Sequence, residues 1–419
     1  MRQLKRTVKI GNITIGGTNP IAVQTMLNVP VKDIAGNVEQ AKRVAKAGCQ
    51  IVRVTVPTPA DAAVVSAIKE AVDIPVVADI HFDYRAALAA IDAGADKIRI
   101  NPGNIGDDDR VKAVADACNA KNIPIRIGVN GGSLEKHILA RYGAPVPEAM
   151  VESAMYHVRL LEKHDFNNIV ISIKSSNVPR MMAAYRLLAS QTDYPLHVGV
   201  TEAGGNRMGL IKSGMGIGGL LLEGIGDTLR VSLTGDPEDE VYAGYDILRA
   251  VMGENLALNM ESKGFTVAVY NRSFPGEEGV VDRFVNGRGK GKNFIPAHSI
   301  EELVEAVKRP RVIMMMIKAG APVDEMIEQL LPHMSPGDVI IDGGNSDFHD
   351  TERRVKEVEA KGLYFVGSGI SGGEEGALHG PSVMPGGSPE AWPIVKDILQ
   401  GIAAKLDDGT PCCQWIGAG

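Results

Sequence analysis

Charged side chains recur at one place in the pattern of the first 250 residues, where short apolar runs end. The runs are rich in Val and Ile, which is typical of buried parallel strands, and the carboxyl ends of such strands meet at one edge. Arginines lie on four of them, at Arg53, Arg99, Arg126 and Arg230. Arginines that converge repel one another unless an anion lies between them, and a guanidinium is suited to bidentate contact with phosphate. The set therefore predicts a ligand with one or two phosphates.

Further polar residues belong to the same strand ends. They are Asp79, His81, Asn101, Asn130, Ser172, Lys174, His197, Glu202 and Ser232. A single arginine on a strand is more often the partner of a nearby carboxylate than a phosphate ligand, and Asp79 with His81 could form an ordinary polar pair at the rim. The predicted phosphate site therefore rests on the arginines as a set.

The elements that must position these side chains form a regular series. Eight apolar runs precede residue 250, and most of them alternate with helical stretches at Gly36–Ala47, Thr58–Ala71, Tyr84–Ala93, Asp107–Lys121 and Pro147–His164. Eight strand–helix units in a segment of this length predict a (β/α)₈ TIM barrel over residues 1–250, whereas an open doubly wound sheet would normally have fewer units. The alternating run Val8–Gly17 predicts a small hairpin over the bottom of the barrel.

Composition sets broad limits on the function. The chain has 419 residues, enough for two or three domains, and its net charge of −7 argues against nucleic acid as a main partner. No apolar run reaches membrane-spanning length and no apolar leader follows the basic N-terminus. We therefore expect a cytoplasmic protein of the α/β class with no nucleic-acid or membrane partner.

Five motifs carry a resemblance to a known family. VADIHFDYR, KIRINPGNIG, IPIRIGVNGGSLEK, TEAGG and EGIGDTLRVSLTGDP, between Val77 and Pro237, closely resemble 4-hydroxy-3-methylbut-2-enyl diphosphate synthase of the methylerythritol phosphate route to isoprenoids. The resemblance implies an oxidoreductase barrel that binds 2-C-methyl-D-erythritol 2,4-cyclodiphosphate, with Glu202 as the acid/base residue. The substrate contacts that it implies are Arg53, His81, Arg99, Asn101, Arg126, Asn130, Lys174, Thr201, Glu202, Arg230 and Ser232. Asp79 and Ser172 are added to the predicted site from their places on the strands.

The chain departs from this family at the redox centre. The resemblance implies a [4Fe–4S] cluster held by three cysteines and a glutamate in a separate C-terminal domain. Cys49, Cys118, Cys412 and Cys413 show no C-x-x-C pair and no cluster spacing. We therefore expect a substrate cradle without cluster ligands, inactive on its own. In the family the cluster domain of one subunit can cap the barrel of another, so a homodimer is compatible with the resemblance.

The remaining residues alternate in the manner of a doubly wound, Rossmann-like sheet. Predicted strands begin near Thr266, Arg311, Asp338 and Tyr364, and helices lie between them. Arg272 follows the first of these strands, where an arginine favours the 2′-phosphate of NADP, although a strand-end arginine is commonly just solvated.

Longer motifs in this part carry a second resemblance. AVMGENLALNMESKGFTVAVYNRS, MMIKAGAPVD, IDGGNSDFHDTERR and GSGISGGEEGALHGPSVMPGG resemble 6-phosphogluconate dehydrogenase over residues 250–419. The NADP contacts that the resemblance implies are Met252, Asn271, Arg272, Ser273, Lys318 and Ala319. It implies a second substrate site at Asn345, Ser371, Gly372 and Gly373, where a tight loop without a ligand is the alternative.

By this resemblance we expect the second domain, predicted over residues 251–419, to be truncated. Leu248 occupies the place of the first glycine in the family's G-x-A-x-x-G turn, and no first strand precedes it. The pattern instead predicts one continuous helix over Asp236–Gly264. The catalytic lysine and the helical domain that the resemblance implies are not found before Gly419. Three functions stay open: a synthase barrel, a fragment of an NADP-dependent 6-phosphogluconate dehydrogenase (decarboxylating), and a chimeric gene product without catalysis.

Overall fold

The computed structural model describes residues 5–201, 205–272, 279–317 and 319–418. The chain divides into two compact units, Met1–Ile247 and Leu248–Gly419, close to the boundary predicted at residue 250. Each unit has a parallel sheet with helices, and each is described by itself.

The first unit is built from ten strands. β1 (Val8–Ile10) and β2 (Ile13–Ile15) form an antiparallel hairpin. The barrel strands are β3 (Ala22–Met26), β4 (Ile51–Thr55), β5 (Val76–Asp79), β6 (Lys97–Ile100), β7 (Ile125–Asn130), β8 (Ile169–Lys174), β9 (His197–Val198) and β10 (Thr228–Leu229). They pair in parallel in the order β8-β7-β6-β5-β4-β3-β10-β9, and a bridge between Ile171 and Leu196 joins the two ends of the sheet. The predicted (β/α)₈ barrel is confirmed.

Helices follow most barrel strands, as predicted. They are α1 (Ile34–Lys46), α2 (Ala63–Ala71), α3 (Tyr84–Asp92), α4 (Asp108–Lys121), α5 (Lys136–Tyr142), α6 (Pro147–Glu162), α7 (Val178–Gln191), α8 (Asn206–Ser213) and α9 (Gly219–Leu222). Several begin at an Asp or Asn whose side chain accepts a hydrogen bond from a backbone N–H of the first turn, as Asp33, Asp107 and Asn177 do. Such caps satisfy donors that the helix itself leaves unpaired.

The hairpin closes the amino-terminal end of the barrel. Val8, Ile10 and Ile15 are buried in one cluster with Ile51 and Val77 from the beginnings of barrel strands. The predicted position of the hairpin is therefore confirmed, and the opposite, carboxyl end of the strands is where polar side chains collect.

A single helix, α10 (Pro237–Ser262), follows the barrel. Glu238, Asp239 and Glu240 fill its first turn, which suits the positive end of the helix dipole. Gly264 follows the helix with a φ of +90°, a conformation that favours glycine. The predicted continuous helix is confirmed. Neither α10 nor any other helix in the described part of the chain is long and apolar enough to cross a membrane.

The second unit contains two small sheets. The strands are β11 (Val267–Tyr270) and β12 (Phe294–Ala297) in one, and β13 (Val312–Met315), β14 (Val339–Asp342), β15 (Tyr364–Ser371) and β16 (Ser382–Gly387) in the other. All pairs are parallel except β15 with β16. The helices are α11 (Val280–Asn286), α12 (Ile300–Ala306), α13 (Ala321–Leu330), α14 (Phe348–Glu359), α15 (Gly373–His379) and α16 (Trp392–Ile402).

The break between the two sheets lies where the first strand of a doubly wound sheet belongs. In the order 3-2-1-4-5-6, the strands equivalent to β11 and β13 flank strand 1. Among the described residues β11 pairs only with β12, and β13 pairs only with β14. The predicted incomplete Rossmann-like sheet is therefore confirmed. In the described ranges β11 and β13 do not pair with each other.

Candidate functional site

Three charged residues form the centre of the site inside the barrel. Asp79, at the end of β5, lies 3.1 Å from Nη1 of Arg99 and 3.4 Å from Nε of Arg53, and all three side chains are buried. Burial alone would raise the pKa of Asp79, but Arg53, Arg99 and Arg126 hold it below its usual range. One carboxylate is thus shared by several buried cations.

The guanidinium of Arg99 lies against Gly128 on the neighbouring strand, where there is no side chain. Its Nη2 donates to the carbonyl oxygen of Gly128 at 2.9 Å. A Cβ at position 128 would lie 2.5 Å from Nε of Arg99, so any other residue there would displace the guanidinium from this position. The side-chain oxygen of Asn101 accepts from the N–H of Gly128 at 2.9 Å, which fixes the same stretch of backbone.

Lys97, Arg126 and His197 are buried in the barrel interior with few partners. Nη1 of Arg126 donates to the hydroxyl oxygen of Ser172 at 3.3 Å. Within the described part of the chain, Nζ of Lys97, Nε and Nη2 of Arg126, and Nδ1 of His197 have no hydrogen-bond partner. Buried polar atoms are usually paired, so this concentration of unpaired atoms marks the barrel interior as a place for a ligand.

Burial and mutual repulsion lower the pKa values of these groups. Burial, followed by the charges of Arg53 and Arg99, lowers the pKa of Lys174 to about 6. Burial likewise lowers the pKa of Arg53 to about 10, with Arg230 and Arg99 acting in the same direction. Burial is the largest cause for both groups, and the nearby positive charges add to it, so an anion between these groups would relieve the repulsion.

Arg230 is held by a residue that the sequence analysis did not identify. Its Nε and Nη2 donate to the two carboxylate oxygens of Glu240 at 2.9 and 2.7 Å, in a bidentate pair. Glu240 is buried in the first turn of α10 and also accepts from the hydroxyl of Thr25 at 2.6 Å. The acidic first turn of α10 was visible in the sequence, but its contact with the strand was not. Arg230 is thus less available to a ligand than Arg126.

The other predicted residues lie nearer the mouth. His81 is exposed, and Thr201 and Ser232 are half-buried. Asn130 accepts from the N–H of Gly132 at 3.1 Å and so shapes the turn after β7. Glu202 lies outside the described residues. Of the predicted set, the structure thus joins Arg53 and Arg99 through Asp79. Arg99 and Asn101 both bond to Gly128, and Arg126 bonds to Ser172.

The described residues do not fit an iron–sulfur cluster. Cys49 and Cys118 are buried in the barrel unit, where burial raises both thiol pKa values to about 12. Cys413, adjacent in sequence to Cys412, is buried in the second unit, with its pKa raised by burial to about 11. A cluster needs thiolates that converge. In the described ranges no group of three or more His, Cys, Asp or Glu side chains could hold a metal ion.

In the second unit the predicted substrate residues come together around one loop. The side-chain oxygen of Asn345 accepts from the N–H of Ile370 at 2.9 Å, next to Ser371. Gly372 and Gly373 adopt φ angles of +131° and +59°. The backbone of this loop thus needs glycine with or without a ligand.

The structure describes four of the six residues that were predicted to contact NADP. Arg272, at the end of β11, lies 3.1 Å from the carboxylate of Glu325. Met252 packs against the apolar cluster of the larger sheet, and Ala319 is half-buried. Asn271 donates to the carbonyl of Arg272. Ser273 and Lys318 lie outside the described residues.

The pyrophosphate of NADP does not fit the start of this unit. In doubly wound folds, pyrophosphate binds free N–H groups at the N-terminus of the first helix. Here α10 runs without a break from Pro237 to Ser262, so backbone N–H groups near Leu248 and Gly253 belong to the interior of a helix. Leu248 is also buried, with 8% of its surface exposed. No NADP-dependent step is therefore assigned to this chain.

Fold and site together define a (β/α)₈ barrel with a cationic interior, followed by an incomplete Rossmann-like domain. Residues 5–245 match the GcpE TIM-barrel domain, and residues 249–417 match the NAD binding domain of 6-phosphogluconate dehydrogenase. The chain belongs to the GcpE family through its barrel, and its second unit gives it a chimeric architecture.

Individual proteins are similar to one part of the chain or the other. The chain is 58% identical over 251 residues to a 4-hydroxy-3-methylbut-2-en-1-yl diphosphate synthase (flavodoxin) of Caldanaerobacter subterraneus, covering 60% of this chain and 71% of that protein. It is 53% identical over 259 residues to the same enzyme of Pseudomonas aeruginosa, covering 62% and 70%. A solved Plasmodium falciparum 6-phosphogluconate dehydrogenase is 42% identical, with a TM-score of 0.37, over 40% of this chain and only 35% of that chain.

Proposed function

We propose that the barrel binds 2-C-methyl-D-erythritol 2,4-cyclodiphosphate, the ligand whose reductive ring opening gives 4-hydroxy-3-methylbut-2-enyl diphosphate. The observation that carries the proposal is the excess of buried cations at one end of the barrel. Arg53 and Arg99 share the single carboxylate of Asp79, and Arg126 forms no ion pair within the described residues. Membership of the synthase family supports this choice of ligand.

The ligand supplies the negative charge and the hydrogen-bond acceptors that the buried cations of the barrel lack. Each phosphate of a cyclic diphosphate carries one negative charge, and a buried arginine that lacks an acceptor gains charge-assisted hydrogen bonds from such oxygens. Nε and Nη2 of Arg126 are available for this, and Nε and Nη2 of Arg53 face the sulfur of Met26, a weak acceptor. Lys174 adds a further positive charge when it is protonated.

The chain's own residues account for binding and orientation, and not for reduction. Asp79 keeps the arginines ionised and in place, and Asn101 and Gly128 fix the wall beside Arg99. We expect Glu202 to serve as the acid/base residue, as the family resemblance implies. Because the described residues do not fit a cluster, we propose a ligand-binding barrel that is inactive alone, within a chimeric product.

The test is calorimetric titration of the whole chain with the cyclodiphosphate. We expect saturable binding to the wild type. In Arg126→Met, affinity should fall about 10- to 100-fold, since a hydrogen bond to a charged group contributes about 1.5–3 kcal/mol.

Arg186→Met is the matched control. Arg186 pairs with Glu223 at 2.6 Å, and its side chain is 48% exposed, so its loss should leave affinity unchanged. Absence of saturable binding to a folded wild type would refute the proposed function, as would equal losses in both variants.

A further inference from the structure

Lys97 is a buried cation that the proposed binding site does not include. It is the first residue of β6 and has no exposed surface. Arg99 lies two residues later on the same strand, and alternate residues of a strand face the same side. Since Arg99 points into the barrel, Lys97 does too, about 6–7 Å closer to the amino-terminal end.

No described carboxylate compensates the charge of Lys97. Its Nζ has no hydrogen-bond partner in the described part of the chain. Besides burial, the groups that act on its pKa are Arg126 and Arg53, both cationic, and all three influences lower it. An unpaired buried amine destabilises a fold, and a Met or Leu would fill the same space without this cost. Packing alone therefore gives no reason for a lysine.

Two other residues with unpaired atoms accompany Lys97. Arg126 is 1% exposed and has Nε and Nη2 unpaired, and His197, the first residue of β9, is 5% exposed and has Nδ1 unpaired. The charges of Arg126 and Lys97 both act on His197. The three side chains thus bring several polar atoms without a described hydrogen-bond partner, and no described carboxylate that pairs with them, into the barrel interior.

We propose that Lys97, Arg126 and His197 form an oxyanion site inside the barrel. Arg126 pairs in register with Arg99, and the site extends from there towards the amino-terminal end, with Lys97 as a ligand of a phosphate group. The inference deepens the proposed function, and rests on it where the phosphate is one of the two in the cyclodiphosphate. Inorganic phosphate, as a separate ligand, has the same chemistry and could occupy the same site. Lys97 would in either case determine how far a phosphate enters the barrel.

Lys97→Met tests the site directly, because methionine is apolar and similar in length. Calorimetry with the cyclodiphosphate and, separately, with inorganic phosphate should show affinity lowered about tenfold or more for the phosphate source that uses the site. Chemical unfolding without ligand should show a variant at least as stable as the wild type, since the unpaired amine is gone. Competition between the two ligands then separates the sources: displacement indicates a shared phosphate position, and simultaneous binding indicates a separate inorganic phosphate.

A second variant and a control complete the test. His197→Leu removes another member of the site without changing Lys97 and should weaken the same ligand, which keeps the test valid if Lys97→Met does not fold. Lys121→Met removes an exposed lysine that pairs with Asp92 and should change nothing. Unchanged affinity for both ligands in the folded site variants would overturn the inference while leaving the proposed function intact, whereas a wild type that binds no cyclodiphosphate would refute the proposed function itself.

Discussion

Buried cations with too few acceptors are the dominant feature of the barrel at the scale of single residues. Arg53, Arg126, Lys97 and Lys174 repel one another, and burial lowers the pKa of each. Asp79 offsets only part of this charge. This repulsion destabilises the ligand-free barrel. An anion that binds between the cations stabilises it, as expected for a site that binds a charged ligand.

The pH dependence of binding follows from Lys174. Its pKa of about 6 in the ligand-free protein means that the amine is largely neutral at neutral pH. An anionic ligand favours the ammonium form and raises this pKa, so binding takes up a proton above about pH 6. Affinity for the cyclodiphosphate should be greatest below about pH 6 and fall as the pH rises, by at most about tenfold per pH unit for one proton.

Calorimetry across this pH range, in buffers of different ionisation enthalpy, measures both the affinity and the proton uptake. In Lys174→Met the decline should be shallower. It should not vanish, because the pKa values of Lys97 and His197 are also lowered by burial and by Arg126. A decline as steep in the variant as in the wild type would show that Lys174 is not the titrating group.

At the scale of elements, hydrophobic periodicity predicted most helices and strands, because burial on one face leaves a regular pattern. β12 and β16 were missed, since FIPA and SVMPGG contain Pro or Gly, which are rare in strands. The predicted strands also gave the positions of the arginines in the barrel. The pair of Arg230 with Glu240 could not be predicted, because it joins a strand to a helix and depends on how they pack. The lack of hydrogen-bond partners for Lys97 could not be predicted either, because it depends on which side chains pack around the amine.

Helix α10 decides whether the second unit can bind a dinucleotide. Leu248→Gly restores the glycine of the family turn, but residues 237–262 remain one helix without free N–H groups at that point. We therefore expect no NADPH binding in fluorescence titrations of either the wild type or the variant. The variant should lose about 3–5 kcal/mol of stability, since a buried leucine is removed and a glycine enters a helix interior.

Ala250→Gly provides the matched control in the same helix. Its side chain is exposed, so it should lose only about 1 kcal/mol, the difference in helix propensity. Urea unfolding monitored by circular dichroism measures both losses. Saturable NADPH binding to Leu248→Gly would show that a single glycine is enough to open the helix, contrary to this account.

At the scale of the whole molecule, the two units resemble two different families and have separate apolar cores. The barrel core includes Ile10 and Val77, and the second unit packs Leu256, Val339 and Val366 in a cluster of its own. The cationic site lies wholly in the first unit, so a ligand bound there interacts with one core only. Ligand binding should therefore stabilise one unit and leave the other unchanged.

The two tryptophans of the chain make this prediction measurable. Trp392 and Trp415 are both in the second unit, with ring centroids 5.7 Å apart, so tryptophan fluorescence follows the unfolding of that unit alone. Cyclodiphosphate at about a hundred times its dissociation constant contributes about 2.7 kcal/mol, enough to raise the calorimetric melting temperature of the barrel by about 5–10 °C. The fluorescence midpoint should stay where it is without ligand, and Arg126→Met should show a much smaller calorimetric shift at the same ligand concentration. A fluorescence midpoint that rises together with the barrel transition would instead show that the two units unfold as one cooperative structure, because a ligand can raise the midpoint only of the structure that must unfold to release it.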